Sequence, residues 1–293
     1  NKKSQLTLFV LQKINFQFYF FLKNNKNLKN KFNDYNFLKF INNYKNMFKM
    51  VVFDLDWTLA PSKWQMDAEM VELFKELLKT YKVWVMSWWD YSQYEKQILP
   101  FLWNDEKILT NLYACPTCST KLYLYKDWTW NKEYSLDFTA DERQKIIWVL
   151  NKAIVDLNLQ PETTYWDLVE DRWTQITYSA LGQKAPLEIK HTWDPDFEIR
   201  KKIRDYIIDD LVWYNILIGW ATSIDVTREW VDKAYWVRKL SELTGISLDE
   251  IIFVWDAVFP GWNDFPPLEI WVTSKRVFSV EDTKKYIKML ISK

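Results

Sequence analysis

Three carboxylates and a hydroxyl stand at the ends of apolar runs, where they could share one site. Met50 to Leu55 is an apolar run carrying Asp54 near its end, and Asp56 follows it. Lys82 to Ser87 ends in a hydroxyl, and Ile251 to Val254 runs on to Asp256. Apolar runs of this length without alternation are the pattern of strands covered on both faces of a parallel sheet. Ligands of such sheets sit beyond the carboxyl ends of the strands, so these groups are expected to converge on one edge although they are far apart in sequence. Asp54 and Asp56 are two residues apart and would share a face if the strand continued, so a turn after Asp54 must aim them differently. A lone Asp-x-Asp pair is often only a solvated turn. The set at several strand ends is what points to acid–base or metal-assisted chemistry on a small charged substrate.

The elements that must hold these groups alternate. Met66 to Thr80 places Met66, Met70, Phe74, Leu77 and Leu78 on one helical face. Tyr91 to Leu99 reads as a helix, Ile108 to Tyr113 and Leu268 to Val272 as short strands, and Glu281 to Ile291 as a closing helix. This succession implies an α/β fold, a doubly wound parallel sheet. Residues 139 to 157 and 194 to 211 read instead as amphipathic helices, and Thr174 to Ser179 and Ser223 to Thr227 as antiparallel strands with one covered face. We expect an α+β cap over residues 124 to 235, inserted between a first core segment, 47 to 123, and a second, 236 to 293. The cleft between cap and core is the default substrate site.

Charge and composition narrow the class. Residues 1 to 50 hold ten lysines, no arginine and one aspartate, a net +9, and the rest of this formally neutral chain is therefore −9. An acidic body argues against nucleic acid as a partner. Residues 1 to 46 are rich in Asn, Lys and Phe, show no sustained period, and contain no apolar stretch near the roughly 20 residues of a membrane span. They are expected to be an in-frame extension, disordered or artefactual, ahead of a start at Met47 or Met50, with a membrane-surface anchor as the alternative. Cys115 and Cys118 form a Cys-x-x-Cys spacing without the four ligands of a zinc site, and read as small residues of a turn in a reducing cytoplasm. His191, the single histidine, is given no role.

The chain has 19 tryptophans and 4 glycines, where ordinary usage would supply about 7% glycine. Several tryptophans fall in turns that want glycine, as in Asp127-Trp128 and Leu102-Trp103-Asn104. We expect a gene in which UGA encodes glycine and has been rendered as tryptophan; Trp130, Trp148 and Trp193 stand where an aromatic is suitable. A genuinely tryptophan-rich protein is the alternative.

Val51-Val52-Phe53-Asp54-Leu55-Asp56-Trp57-Thr58-Leu59 resembles the nucleophile motif of the haloacid dehalogenase phosphotransferases, with tryptophan where that family has glycine. Ser87-Trp88-Trp89, Trp255-Asp256 and Pro260-Gly261-Trp262-Asn263-Asp264 match further family motifs with the same replacement. The resemblance implies that Asp54 is the nucleophile that forms an aspartyl-phosphate and Asp56 the general acid and base. It implies that Ser87 binds phosphoryl oxygens and that Lys233 neutralises developing charge. Asp54, Asp56 through its carbonyl, Asp256 and Asp264 would hold Mg²⁺, with Asn263 supporting the loop.

Glu170-Asp171-Arg172, Ser179-Ala180-Leu181-Gly182-Gln183 and Ile218-Gly219-Trp220-Ala221-Thr222-Ser223-Ile224-Asp225 resemble the cap of the eukaryotic-type phosphomannomutases. By that resemblance Ser223 and Asp225 take sugar hydroxyls and Arg172 grips the distal phosphate of a phosphosugar. Gln183 stands where the family has a second arginine; Lys184 and Lys190 are near enough in sequence to substitute. The resemblance therefore implies a cytoplasmic, Mg²⁺-dependent phosphomannomutase-like enzyme, able to form a homodimer through the cap. A sugar-phosphate phosphatase is the alternative, since it needs only the core site and water. A catalytically dead binding protein follows if the tryptophans are genuine.

Overall fold

The computed structural model describes residue 44 and residues 46–102, 105–219, 221–229, 233–256 and 272–292. A seven-stranded sheet is built from β1 (Met50–Asp54), β2 (Lys82–Met86), β3 (Leu112–Cys115), β4 (Lys121–Lys126), β5 (Thr129–Ser135), β10 (Ile251–Trp255) and β11 (Thr273–Arg276), in the order β11-β10-β1-β2-β3-β4-β5. The first five strands in that order are parallel, with β1 central between β10 (Phe53 opposite Val254) and β2 (Asp54 opposite Met86). All five residues of β1 are buried, as the apolar run demands. Helix α1 (Ala68–Leu78) starts where the Asp67 carboxylate accepts from the Met70 N–H at 2.9 Å, and it lays Met70, Phe74, Leu77 and Leu78 against Phe53 and Val83. Each such side chain removed from water contributes about 1.5–3 kcal/mol before its ordering entropy is counted. α2 (Tyr91–Gln97) and α7 (Val280–Ile291) complete that cover.

A second, four-stranded antiparallel sheet is inserted in the sequence between β5 and β10, with β6 (Val169–Asp171), β7 (Ile176–Ser179), β8 (Tyr214–Ile218) and β9 (Ser223–Arg228) in the order β6-β7-β9-β8. Its covered face packs on α3 (Ala140–Asp156) and α5 (Glu198–Ile207) through Ile146, Val149, Leu150, Ile203, Ile176 and Val226. Thr139 and Glu142 close a reciprocal capping box at the start of α3. The chain re-enters the first sheet through α6 (Lys233–Thr244).

Two details differ from the sequence expectations. The segment Ile108 to Tyr113 is divided: Glu106–Leu109 is a helical turn, capped by the Asp105 carboxylate on Lys107 N, and the strand begins at Leu112. The expected cap start at residue 124 runs through β4, and β4 and β5 form a hairpin hydrogen-bonded to β3. The change of sheet comes after Ser135. The strand expected at Leu268 to Val272 lies, but for Val272, outside the described residues, and the described edge strand is β11. Residues 1 to 46, apart from Tyr44 and Asn46, also lie outside them.

Candidate active site

Asp54 is the last residue of β1 and is buried at the carboxyl edge of the parallel strands. The chain then turns sharply. Leu59 and Ala60 N–H groups both donate to the Leu55 carbonyl, and Trp57 N–H donates to the Ala60 carbonyl at 2.7 Å, with Trp57 at φ 61°. This turn is the device that separates Asp56 from the direction of Asp54. Asp256 follows β10, the neighbour of β1, and Asp54, Asp56 and Asp256 line one cleft.

Asp56 is enclosed by donors. Ser62 Oγ donates to its Oδ2 at 3.1 Å, the Trp89 indole N–H donates to the same oxygen, and Lys63 N–H donates to Oδ1 at 3.3 Å. Burial pushes the Asp56 carboxyl up from the usual carboxylate range, with the Asp54 charge acting in the same direction and these hydrogen bonds opposing it. A carboxyl held protonated to higher pH is what a general acid requires.

The opposite wall is cationic and comes mainly from the inserted sheet. Arg172, in the turn between β6 and β7, donates from Nη1 to the Trp88 carbonyl at 3.1 Å and from Nη2 to Glu170 Oε2 at 2.8 Å. Lys190 is on α4 (Leu187–Trp193), and its Nζ donates to the Gln183 carbonyl at 2.8 Å. Lys63, from the first sheet's side, donates to that same carbonyl at 2.8 Å. Burial first, then the Lys63 charge, lowers Lys190 to about 8, and burial lowers Lys63 against the Asp56 charge. Deeper on this wall, Asp225 on β9 accepts from Gln175 Nε2 at 2.5 Å and Thr177 Oγ1 at 2.6 Å, both at Oδ1. Burial pushes the Asp225 carboxyl up, against the Arg172 charge and these two bonds.

Of the residues singled out from sequence, Asp54, Asp56, Arg172, Gln183, Lys190, Ser223, Asp225 and Asp256 line this single cleft. Ser87 does not; it is buried behind Trp88 and Trp89, and its Oγ accepts from Trp89 N–H at 3.1 Å. Lys184 does not substitute for an arginine here: its Nζ lies 3.1 Å over the Trp166 ring. Lys233 opens α6, but its side chain, like Asn263 and Asp264, lies outside the described residues. Among the described residues no three His, Cys, Asp or Glu side chains gather closely enough to hold a metal ion. Hard carboxylate oxygens at Asp54 and Asp256 suit a divalent cation in kind. Sequence reasoning missed Lys63, Glu170, Gln175 and Thr177. For Lys63 the signal was only its position shortly after the turn; Glu170 pairs with Arg172 two residues along the chain, and the meeting of Gln175 and Thr177 with Asp225 depends on sheet register.

Comparisons with known proteins agree on family and fold. A sequence model described as eukaryotic phosphomannomutase matches residues 70–293, which leaves Asp54 and Asp56 ahead of the matched segment. A phosphomannomutase of Schizosaccharomyces pombe is 24% identical over 235 residues, covering 78% of this chain and 87% of that protein. One of Spinacia oleracea is 26% identical, covering 80% and 93%. Among solved structures, an IMP-nucleotidase of Plasmodium falciparum superposes with a TM-score of 0.64 at 19% identity, over 85% of this chain and 70% of that one. A trehalose-6-phosphate phosphatase of Aspergillus fumigatus gives 0.54 at 14% identity, over 86% and 96%.

Proposed function

The chain belongs to the eukaryotic phosphomannomutase family, and we propose that it transfers a phosphoryl group on a phosphosugar, interconverting sugar 1- and 6-phosphates of the mannose type. The observation that carries this reading is the composition of the cleft: the carboxylates at the parallel-sheet edge, Asp54, Asp56 and Asp256, line one space with Arg172, Lys63 and Lys190. A phosphosugar with an anionic group at each end fits such a site, its reacting phosphate at Asp54 and its distal phosphate among the cations.

Asp54 would attack the phosphorus, forming its own oxygen–phosphorus bond as the bond to the sugar oxygen breaks. Asp56, whose carboxyl burial pushes up, would in its protonated form give its proton to that oxygen. In the other half a mannose 1-phosphate, held by its phosphate among the cations, presents its 6-hydroxyl; Asp56 takes that proton, the phosphoryl group passes from Asp54 to the sugar oxygen, and the bisphosphate so formed turns to bring its 1-phosphate to Asp54. Ser223 and Asp225 would hold sugar hydroxyls while the ring is turned. Lys233, at the start of α6, would neutralise charge developing on the phosphoryl oxygens. Asp54, Asp256, Asp264 and the Asp56 carbonyl would hold Mg²⁺, which when bound supplies further charge neutralisation at the phosphoryl oxygens. We further propose that the inserted sheet and its helices are the cap, and that closure over the cleft excludes water.

One observation favours the phosphatase reading instead. Gln183 lines the cleft with a neutral amide side chain where a second arginine would offer a charged fork, so the distal phosphate has one planar clamp. Incubation of the protein with mannose 1-phosphate, Mg²⁺ and a sugar bisphosphate separates the two. Mannose 6-phosphate is the expected product, and free phosphate in its place would reject the mutase.

A further inference from the structure

Three tryptophans occupy left-handed backbone: Trp57 at φ 61°, Trp128 at φ 63° and Trp173 at φ 69°. L-residues avoid this region because Cβ crowds the following carbonyl, and bulky residues avoid it most. Each of the three sits in a turn whose geometry selects glycine. Asp127, at φ 51°, and Trp128 are the two loop residues between β4 and β5, so both central positions have positive φ, the hairpin turn for which Asp-Gly is preferred. Trp173 is the centre of a three-residue turn closed by Thr174 N–H on the Arg172 carbonyl at 2.9 Å, the rare and strained hand of the γ-turn. Trp57 makes the turn that aims Asp56. All three side chains are exposed, at 40%, 68% and 55%, so burial of the indole does not offset the strain.

We infer that the native residue at positions 57, 128 and 173 is glycine, inserted at a codon that the source cells read as glycine. The 4 glycines of this chain fall short of the roughly 20 that ordinary usage supplies to this length, a deficit close to its surplus of tryptophan. At position 57 the consequence is functional, because the Trp57 side chain lines the cleft and a glycine there opens the side on which Asp54 and Asp56 work. Peptide mass analysis of the protein isolated from its own cells is expected to find glycine at all three positions; tryptophan at any of them overturns the inference. A second measurement is independent of the source. In recombinant protein, W128G is expected to raise the folded-to-unfolded ratio about 5- to 30-fold without changing turnover, and W57G to raise turnover as well. A lower ratio in W128G overturns it.

A separate geometry rests on the phosphosugar reading and deepens it. Gln175 and Thr177 both donate to Oδ1 of Asp225, and a Cβ on Gly219 would come 2.8 Å from Asp225 Oδ2 and 2.2 Å from Ser223 Oγ. Gly219 is itself pinned, its carbonyl accepting from Arg200 Nη1 at 2.7 Å. We propose that Gln175 is a positioning residue that fixes which Asp225 oxygen meets the sugar, and that Gly219 lets the backbone pass close enough to Ser223 Oγ and Asp225 Oδ2 for both to keep the orientation in which they meet sugar hydroxyls. The test compares kcat/KM for mannose 1-phosphate with that for its epimer glucose 1-phosphate. Q175L and G219A are expected to shrink the preference between the epimers about tenfold, whereas an equal loss on both substrates overturns the proposal. If the unmodified protein turns over neither epimer but hydrolyses p-nitrophenyl phosphate, the phosphosugar reading fails and this proposal with it.

Discussion

The two walls of the cleft are built by different means. On the sheet wall, Asp54 and Asp256 are delivered by neighbouring parallel strands whose pairing fixes them to within a residue. The cations come from both sides: Arg172, from a turn of the inserted sheet, and Lys63, from a loop of the first, each donate to a backbone carbonyl across the cleft, while Lys190, on a short helix, donates to the same Gln183 carbonyl from its own side. The carboxylate wall is set by the folding of one sheet; the cationic wall exists only when two sheets meet. Their electrostatics mirror this, with the Asp56 carboxyl pushed up and the Lys63 and Lys190 ammonium groups pulled down, in each case chiefly by burial. On both walls burial therefore works against the charged form.

Substitution tests the division of labour directly, and the sheet wall should give the largest effect. D54N is expected to lower turnover by roughly 10⁴-fold or more, as removal of a nucleophile does, measured as product formation from mannose 1-phosphate. On the cationic wall R172M should raise KM about 10- to 100-fold, the equivalent of about 1.5–3 kcal/mol for a charge-assisted hydrogen bond, with a smaller change in kcat.

A finer test uses pH. Lys190 is cationic below about 8 and neutral above it, so KM for an anionic substrate should rise as pH passes that value. K190M should flatten this rise, and a KM profile identical in the two proteins would contradict the assignment. The smallest effect concerns Asp225. Its folded-state pKa is raised, so the folded protein binds more protons than the unfolded chain between the ordinary and the raised value. The stability contribution of this group is therefore greatest at low pH and falls as pH rises through that window. D225N should weaken that fall, read as a shallower dependence of Tm on pH.

What the sequence made legible follows the same division. The parallel strands announced themselves as unbroken apolar runs, and their ends placed Asp54, Asp56 and Asp256 together because the edge of a parallel sheet collects them whatever the loops do. The cap was expected to begin at residue 124, inside β4, because Tyr123 to Tyr125 reads alike in either sheet, and only pairing with β3 decides. Ser87 was expected in the cleft, yet Trp88 and Trp89 take the lining positions. Gln175 and Thr177 were invisible because their meeting with Asp225 depends on β7 lying beside β9, where Thr177 pairs with Asp225 across strands distant in sequence. Lys63 was overlooked because its partner is a backbone carbonyl 120 residues away, and no side-chain pattern reports that.

The central claim is that Asp54 accepts phosphorus, and trapping tests it most directly. The protein is mixed with ³²P-labelled mannose 1-phosphate and Mg²⁺, quenched in acid within one turnover, digested, and its peptides mapped. The account predicts acid-stable, hydroxylamine-labile label on the peptide carrying Asp54, and none in D54N. Turnover of the sugar with label on another residue, or with no label on the protein at any time point, would contradict it.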